Sequence, residues 1–236
     1  MKSFYTYHIK ISLLLLLLLA MGGCAMNKMA AKKKKDNYTV LGLGDSITEG
    51  GPDFFSYLFP LDSLLKQGGQ PVHFIGPKLS VLKADTIHHG GYSGKTAEYI
   101  AKIIDSIYAD FPADIVLLHS GHNHFVEESP VPGIIAAQQK IIWAIKNRNP
   151  AAIILVAGVI TSGKLPKYAY IPALDTAIKK MVGEWNDPAI LFVDQQEHWD
   201  WSIHTIQDKV HPNKAGALVI AANWLTAIRK LRLKQN

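Results

Sequence analysis

From Tyr38 to Leu231 short β-type runs alternate with longer stretches of helical apolar period, and that alternation constrains the fold more than any other feature of the chain. Tyr38 to Leu43, Val72 to Ile75, Ile115 to His119, Ala152 to Ile160 and Ile190 to Val193 read as strands. Phe54 to Lys66, Thr96 to Tyr108, Ile134 to Lys146, Leu174 to Trp185 and Ala215 to Leu231 repeat apolar residues at helical spacing. The strand runs lack polar alternation, so they belong in a sheet covered on both faces, and strands separated by helices pair in parallel. The pattern predicts an α/β fold, a three-layer αβα sandwich around a five-stranded parallel sheet. About 200 residues suffice for one such domain with a substantial core, and neither an internal repeat nor a second-domain linker interrupts it.

The formal net charge of +6 raises the question of a polyanionic partner. Residues 1–36 hold seven lysines against the single acid Asp36, whereas from Asn37 onward 18 basic and 18 acidic residues cancel. A surface that neutralises phosphates needs its basic excess on the folded body, so nucleic-acid binding is not expected. The basic excess belongs to targeting. Lys2 and Lys10 precede an apolar run from Ile11 to Met21, followed by Gly22 and Gly23, which reads as an export signal over residues 1–23. The run is about half the length of a spanning helix. Leu19-Ala20-Met21-Gly22-Gly23-Cys24 resembles a bacterial lipobox, with Met21 where Leu is usual. The resemblance implies lipidation of Cys24 as the new N-terminus, attachment to the cell envelope by a lipid anchor alone, and a Lys-rich tether over residues 24–36. An ordinary signal peptide with an incidental cysteine, and hence secretion, is the alternative. Ala25 and Met26 lack the acidic residue associated with inner-membrane retention, which points to the outer membrane in a Gram-negative cell. A single cysteine closes no intramolecular disulfide, so the exported fold rests on its core.

In open parallel sheets ligands gather beyond the carboxyl ends of the strands. The segments there are Gly44-Asp45-Ser46-Ile47-Thr48, Gly121-His122-Asn123-His124, and the stretch from Asp194 to Asp208 and His211. Ser46 follows a strand and a glycine-permitted turn, where helix-start amides can face a developing negative charge. A hydroxyl needs a base, and the base needs a group to orient it. Asp208-Lys209-Val210-His211 supplies both, because a carboxylate three residues before an imidazole reaches Nδ1 in a turn and leaves Nε2 free. Singly, such features are common caps and turns; their combination is more informative.

Taken together these blocks resemble the SGNH, or GDSL-type, serine hydrolases. The first block matches in Gly44-Asp45-Ser46-Ile47-Thr48 and the last in Asp208-Lys209-Val210-His211-Pro212-Asn213, with Gly216 in the expected place. The second-block glycine corresponds to Gly94 in Gly91-Tyr92-Ser93-Gly94-Lys95-Thr96, and the third block, usually Gly-x-Asn-Asp, reads Gly121-His122-Asn123-His124. The resemblance covers residues 37–236 as one hydrolase domain. It implies a flavodoxin-like fold, Ser46 as nucleophile, His211 as general base and acid, Asp208 as its orienter, and an oxyanion hole of the Ser46 and Gly94 amides with the Asn123 side chain. No cofactor is implied.

His124 stands where the family has aspartate, and the loop holding Asn123 is therefore expected to be pinned differently. A rival use of His119, His122 and His124, with His88 or His89, is metal ligation, although their spacing fits no familiar metal motif. Gly44 to Gly50 and His88 to Gly94 most resemble carbohydrate esterases that remove acetyl groups from xylan and related glycans. The expected activity is a serine esterase acting on acetyl or other short acyl esters, on a small molecule or glycan, through an acyl-enzyme. The alternatives are a lipase, thioesterase or lysophospholipase with the same triad, and a glycan-binding lipoprotein without catalysis. Trp199 and Trp201 are candidates for either sugar stacking or core packing, and Phe54 and Phe55 are expected to pack the first helix.

Overall fold

The computed structural model describes residues 37–70, 72–231 and 233; the export signal, Cys24 and the tether lie outside the described residues. In chain order the elements are β1 (Tyr38–Gly44), α1 (Ser46–Glu49), α2 (Leu58–Gln67), β2 (Val72–Ile75), β3 (Lys78–Leu82), β4 (Asp85–Gly91), α3 (Ala97–Asp110), β5 (Ile115–His119), α4 (Val131–Arg148), β6 (Ile153–Ala157), α5 (Ile171–Trp185), β7 (Ile190–Val193), α6 (Trp201–His204) and α7 (Lys214–Lys230). The five predicted strands pair in parallel in the order β2, β1, β5, β6, β7, a flavodoxin-like order.

Among the described residues the sheet has seven strands, not five. The two additional strands, β3 and β4, form an antiparallel hairpin in which Lys78 faces His89 and Leu82 faces Asp85. Beyond the end of β2, the last residues of β4 take over its side of β1, pairing Gly90 and Gly91 in parallel with Leu43 and Gly44. This hairpin escapes a reading by apolar runs for a physical reason. It turns on Lys83 and Ala84 without a glycine, Lys83 itself adopting the left-handed region at φ 57°. Its strands are half exposed, and β4 ends in His-His-Gly-Gly instead of an aliphatic run.

Period-two alternation along the buried strands divides the core into two layers. Leu41, Leu43, Val116, Leu118, Ile154 and Val156 point to the face covered by α3, α4 and α5. Val40, Ile115, Leu117, Leu155 and Ala157 point to the opposite face, covered by α2 and α7. Helical residues spaced three or four apart complete each layer, as with Ile134, Ile141 and Ile145 on α4 and Ile220, Trp224 and Ile228 on α7. The first long helix starts at Leu58 and not at Phe54. The Ser56 hydroxyl accepts the Leu58 amide at 3.2 Å, and Gly50 to Ser56 stay irregular beside the carboxyl end of the sheet.

The layering predicts a contrast within α4, where Ile141 is fully buried and Trp143 is 61% exposed. Ile141→Ala is expected to cost about 2–5 kcal/mol, a fall in Tm of roughly 5–15 °C, and Trp143→Ala less than about 1 kcal/mol. Thermal melts followed by circular dichroism check this; equal losses would contradict the layering.

Candidate active site

β1 ends at Gly44, and Asp45 caps the short α1 by accepting the Ile47 amide at 3.0 Å. Ser46 is thereby fixed at the start of α1 and is almost fully buried. Its Oγ lies 2.9 Å from His211 Nε2, a contact across 165 residues. On the other side of the ring, His211 Nδ1 lies 2.5 Å from Asp208 Oδ2. With Nδ1–H donated to that carboxylate, Nε2 holds a lone pair toward the serine hydroxyl.

Every polar residue of the last block contributes to this alignment. Asp208 Oδ1 accepts the amides of Val210 and His211 at 2.8 and 3.0 Å, closing a tight turn with Lys209 at φ 60°. The Lys209 carbonyl accepts the Ser162 hydroxyl at 2.6 Å and the Gly163 amide at 2.9 Å, tying the turn to the loop after β6. Asn213 caps α7 through the Gly216 amide at 2.9 Å, and its side-chain amide donates to Ile203 O and Thr205 O. Phe54 stacks on the His211 ring with centroids 4.1 Å apart and planes at 23°, so it belongs to the site and not to the packing of the first helix. Phe55 is 38% exposed. Burial pushes the Asp208 carboxyl up, but hydrogen bonds from the His211 ring and the two amides outweigh it and hold the group below the usual carboxylate range.

The second and third blocks meet beside β1. The Tyr92 amide donates to Gly44 O at 2.9 Å, and the following turn carries Gly94 at φ 71°. Asn123, also at φ 71°, donates from Nδ2 to Lys95 O at 2.9 Å, so the loops carrying Gly94 and Asn123 are joined directly. His124 shows what replaces the family aspartate. Its Nδ1 lies 2.7 Å from Glu128 and its Nε2 3.0 Å from Glu98, so the ring ties the Asn123 loop to the start of α3 and to the 3₁₀ turn Val126–Glu128.

The other histidines part company. His119 is fully buried, and burial lowers its pKa to about 4, so it is neutral. His122 lies 3.1 Å from Ile160 O through Nε2 and faces Asp45 at 3.8 Å through Nδ1. Among the described residues no three His, Cys, Asp or Glu side chains converge so as to hold a metal ion. Trp199 is buried, donating from its indole N–H to Thr161 O at 2.9 Å, and packs in the core layer of α7. Trp201 is half-buried against Gly163, where a Cβ would stand 2.3 Å from the indole.

Glu49 also lines the site, although no motif in the sequence singles it out; its proximity to Ser46 in the first block is the one available signal. It accepts the Ser93 amide at 2.6 Å and pairs with Lys78. A groove of about 590 Å³ opens between the Gly50–Phe59 segment and the hairpin, bordered by Glu49, Phe54, Phe55, Leu79 and Val81.

Because the folded pKa of Asp208 is depressed, the group stabilises the fold above the ordinary carboxylate range, and that contribution is lost as pH falls through its folded value. Melting curves of the parent and Asp208→Asn are therefore expected to differ most near neutral pH and to converge below about pH 4. A gap independent of pH would show that the charge is not what stabilises the turn.

No curated protein matches the chain. Among solved structures, a carbohydrate esterase of family 3 from Talaromyces cellulolyticus superposes with a TM-score of 0.74 at 24% identity, covering 82% of this chain and 97% of that one. A family 3 carbohydrate esterase from Clostridium thermocellum gives 0.71 at 25% identity over 83% and 98%. A lipase/acylhydrolase from Enterococcus faecalis gives 0.67 at 17% over 84% and 98%. The model of the GDSL-like Lipase/Acylhydrolase family matches residues 43–219, from the end of β1 into α7. The chain belongs to this family and is a carboxylic ester hydrolase.

Proposed function

We propose that the chain removes acetyl or other short acyl groups from a carbohydrate through an acyl-enzyme on Ser46. The observation that carries this reading is the continuous line Ser46 Oγ, His211 Nε2, His211 Nδ1, Asp208 Oδ2 at 2.9 and 2.5 Å. Ser46 Oγ attacks the ester carbonyl carbon and passes its proton to His211 Nε2, while the carbonyl π pair moves onto oxygen. Asp208 stabilises the imidazolium so formed. The amides of Ser46 and Gly94 and the Asn123 side chain receive the oxyanion. Collapse expels the alcohol, which takes the proton from His211. Water then attacks the acyl-enzyme with His211 again as base, releasing the carboxylic acid and restoring Ser46. No cofactor takes part in this sequence.

Three features support a carbohydrate as the alcohol portion. The Clostridium thermocellum neighbour is a carbohydrate esterase. The groove of about 590 Å³ beside Phe54 far exceeds an acetyl group and combines the rings of Phe54, Phe55 and Phe59 with the carboxylates of Glu49 and Asp53, a lining suited to hydroxyl-bearing rings. The N-terminal segment reads as an export signal, which suits an extracellular polymer; with Cys24 lipidated, the enzyme acts at the bacterial envelope. The exposed Leu79 and Val81 beside the groove favour a second reading, a lipase or thioesterase with a longer acyl chain.

Ser46→Ala is expected to lower hydrolysis of p-nitrophenyl acetate by at least about 10³-fold with Tm unchanged. Undiminished turnover would defeat the assignment. Across p-nitrophenyl esters from acetate to octanoate, kcat/KM is expected to fall with chain length, and acetylated oligosaccharides to be deacetylated; a rise with chain length would select the second reading.

A further inference from the structure

Resting on the proposed acyl-transfer function, we propose that Glu49 is a positioning residue for the oxyanion hole and that the hairpin cation Lys78 makes its carboxylate tolerable there. Glu49 is the last residue of α1, three positions after Ser46, with its side chain 22% exposed. One carboxylate oxygen, Oε2, accepts the amide of Ser93 at 2.6 Å, and the other, Oε1, pairs with Lys78 Nζ from β3. Ser93 immediately precedes Gly94, so this bond fixes the peptide whose next amide is the proposed oxyanion donor.

The turn needs such an anchor. Ser93, Gly94 and Lys95 are all exposed, and a Cβ built on Gly94 would meet nothing within 4 Å. Packing therefore does not hold the turn; hydrogen bonds do. Tyr92 is bound to Gly44 O, Lys95 O accepts Asn123, and the link at Ser93 itself runs to Glu49. Below the turn the backbones of β4 and α1 are in contact, since a Cβ on Gly91 would stand 2.5 Å from the Glu49 amide nitrogen.

A second, directional chain fixes Glu49 from the same side. Burial lowers the pKa of His89 to about 4, so the ring is neutral. Its Nδ1 accepts the Gly91 amide at 3.0 Å, which leaves the proton on Nε2, 2.8 Å from Ser80 Oγ. Ser80 in turn donates its hydroxyl to the Glu49 carbonyl at 2.8 Å. The second-block strand, the hairpin and the serine-bearing helix are thus closed into one loop of hydrogen bonds.

A carboxylate so near a forming oxyanion opposes it electrostatically unless neutralised. Lys78 supplies the neutralising charge from the hairpin. Glu49 therefore offers an acceptor to Ser93 without presenting net negative charge to the reaction. A misplacement of about 1 Å in such a donor can cost about 10²-fold in rate.

The test is steady-state hydrolysis of p-nitrophenyl acetate by the parent, Glu49→Ala, Glu49→Gln, Lys78→Met and the double variant Glu49→Gln/Lys78→Met, with melting curves for each. Glu49→Ala is expected to lower kcat by roughly 10–100-fold with KM within about 3-fold, the signature of lost transition-state stabilisation. Glu49→Gln keeps an acceptor for Ser93 and is expected to lose less than about 5-fold. Lys78→Met leaves the carboxylate uncompensated and is expected to lose about 10-fold, and adding Glu49→Gln is expected to recover most of that loss. A purely structural role predicts losses that track Tm, with no recovery in the double variant, and that result overturns the proposal. Parent-like kcat in Glu49→Ala overturns it as well, and if that variant does not fold, the near-isosteric Glu49→Gln and the Lys78 pair decide alone. An inactive parent on every ester of the panel would overturn the proposed function and this inference with it, whereas with an active parent a negative result counts against the role of Glu49 alone.

Discussion

Parallel pairing of β1 with β5, Val40 to Gly44 against Ile115 to His119, is the constraint on which the site depends. Both strands are buried along that pairing, so their side chains are taken up by the two core layers, and chemistry has to begin where they end. At that end the approach is close. A Cβ on Gly44 would stand 2.2 Å from His119 O and 2.4 Å from Thr48 Oγ1, a space only glycine leaves open. Ser46 leaves one strand end and Asn123 the loop beyond its neighbour, so residues 77 positions apart in sequence issue from one edge of the sheet. This is the general position of ligands in open parallel sheets, reached here through backbone pairing before any catalytic side chain is considered.

What the sequence makes legible and what it hides follow from the range of the interactions. Asp208 and His211 are readable because the turn joining them is local, three residues long, and closed by its own amides. The five parallel strands are readable because burial on both faces imposes apolar runs. The hairpin is not, because Lys78–Leu82 and Asp85–Gly91 are neither uniformly apolar nor joined by a glycine turn. The role of Phe54 is hidden for another reason: its ring matters by lying on His211, a neighbour 157 positions away that no local period reveals. Glu49 is hidden likewise, since Lys78 and Ser93 lie 29 and 44 residues further along. Trp199 and Trp201 read alike in the sequence, yet Thr161 O claims one indole and Gly163 covers the other.

The charged groups around the site share a pattern. Asp208 is held by a ring and two amides, Glu49 by Lys78 and an amide, and Glu98 and Glu128 by the single ring of His124. For Glu98, burial pushes the carboxyl up, while its own amide, Thr96 and His124 outweigh that and draw it down. Hydrogen bonding from His124 is the leading cause of the downward shift at the exposed Glu128. Each carboxylate thus lies within hydrogen-bond distance of a ring or amide nitrogen that fixes its direction, and at Glu49 the charge is also paired with Lys78. Preorganised donors are effective in proportion to how little they must rearrange as charge develops. His124 belongs to this arrangement as a bridge. Its ring reaches two elements, where a carboxylate, having only acceptor atoms, would meet Glu98 and Glu128 with repulsion.

The β3–β4 hairpin borders both the turn that carries Gly94 and the groove. An exposed edge strand carrying apolar residues invites pairing with other chains, a liability that proteins usually blunt with charge or with twist. β3 keeps Leu79 at 52% and Val81 at 65% exposure all the same. Period two explains why the strand can carry them, because Lys78 and Ser80, on the alternate face, are committed to Glu49. Lys78 and Ser80 therefore fix the helix that carries Ser46, while Leu79 and Val81, together with Ser80, border the groove into which, on the proposed function, the alcohol portion of the ester extends. A slip of one residue would turn both faces over, detaching Glu49 and burying the rim at once. The register of β3 on β4, Lys78 against His89 and Ser80 against Ile87, thus couples the shape of the groove to the geometry of the turn that carries Gly94.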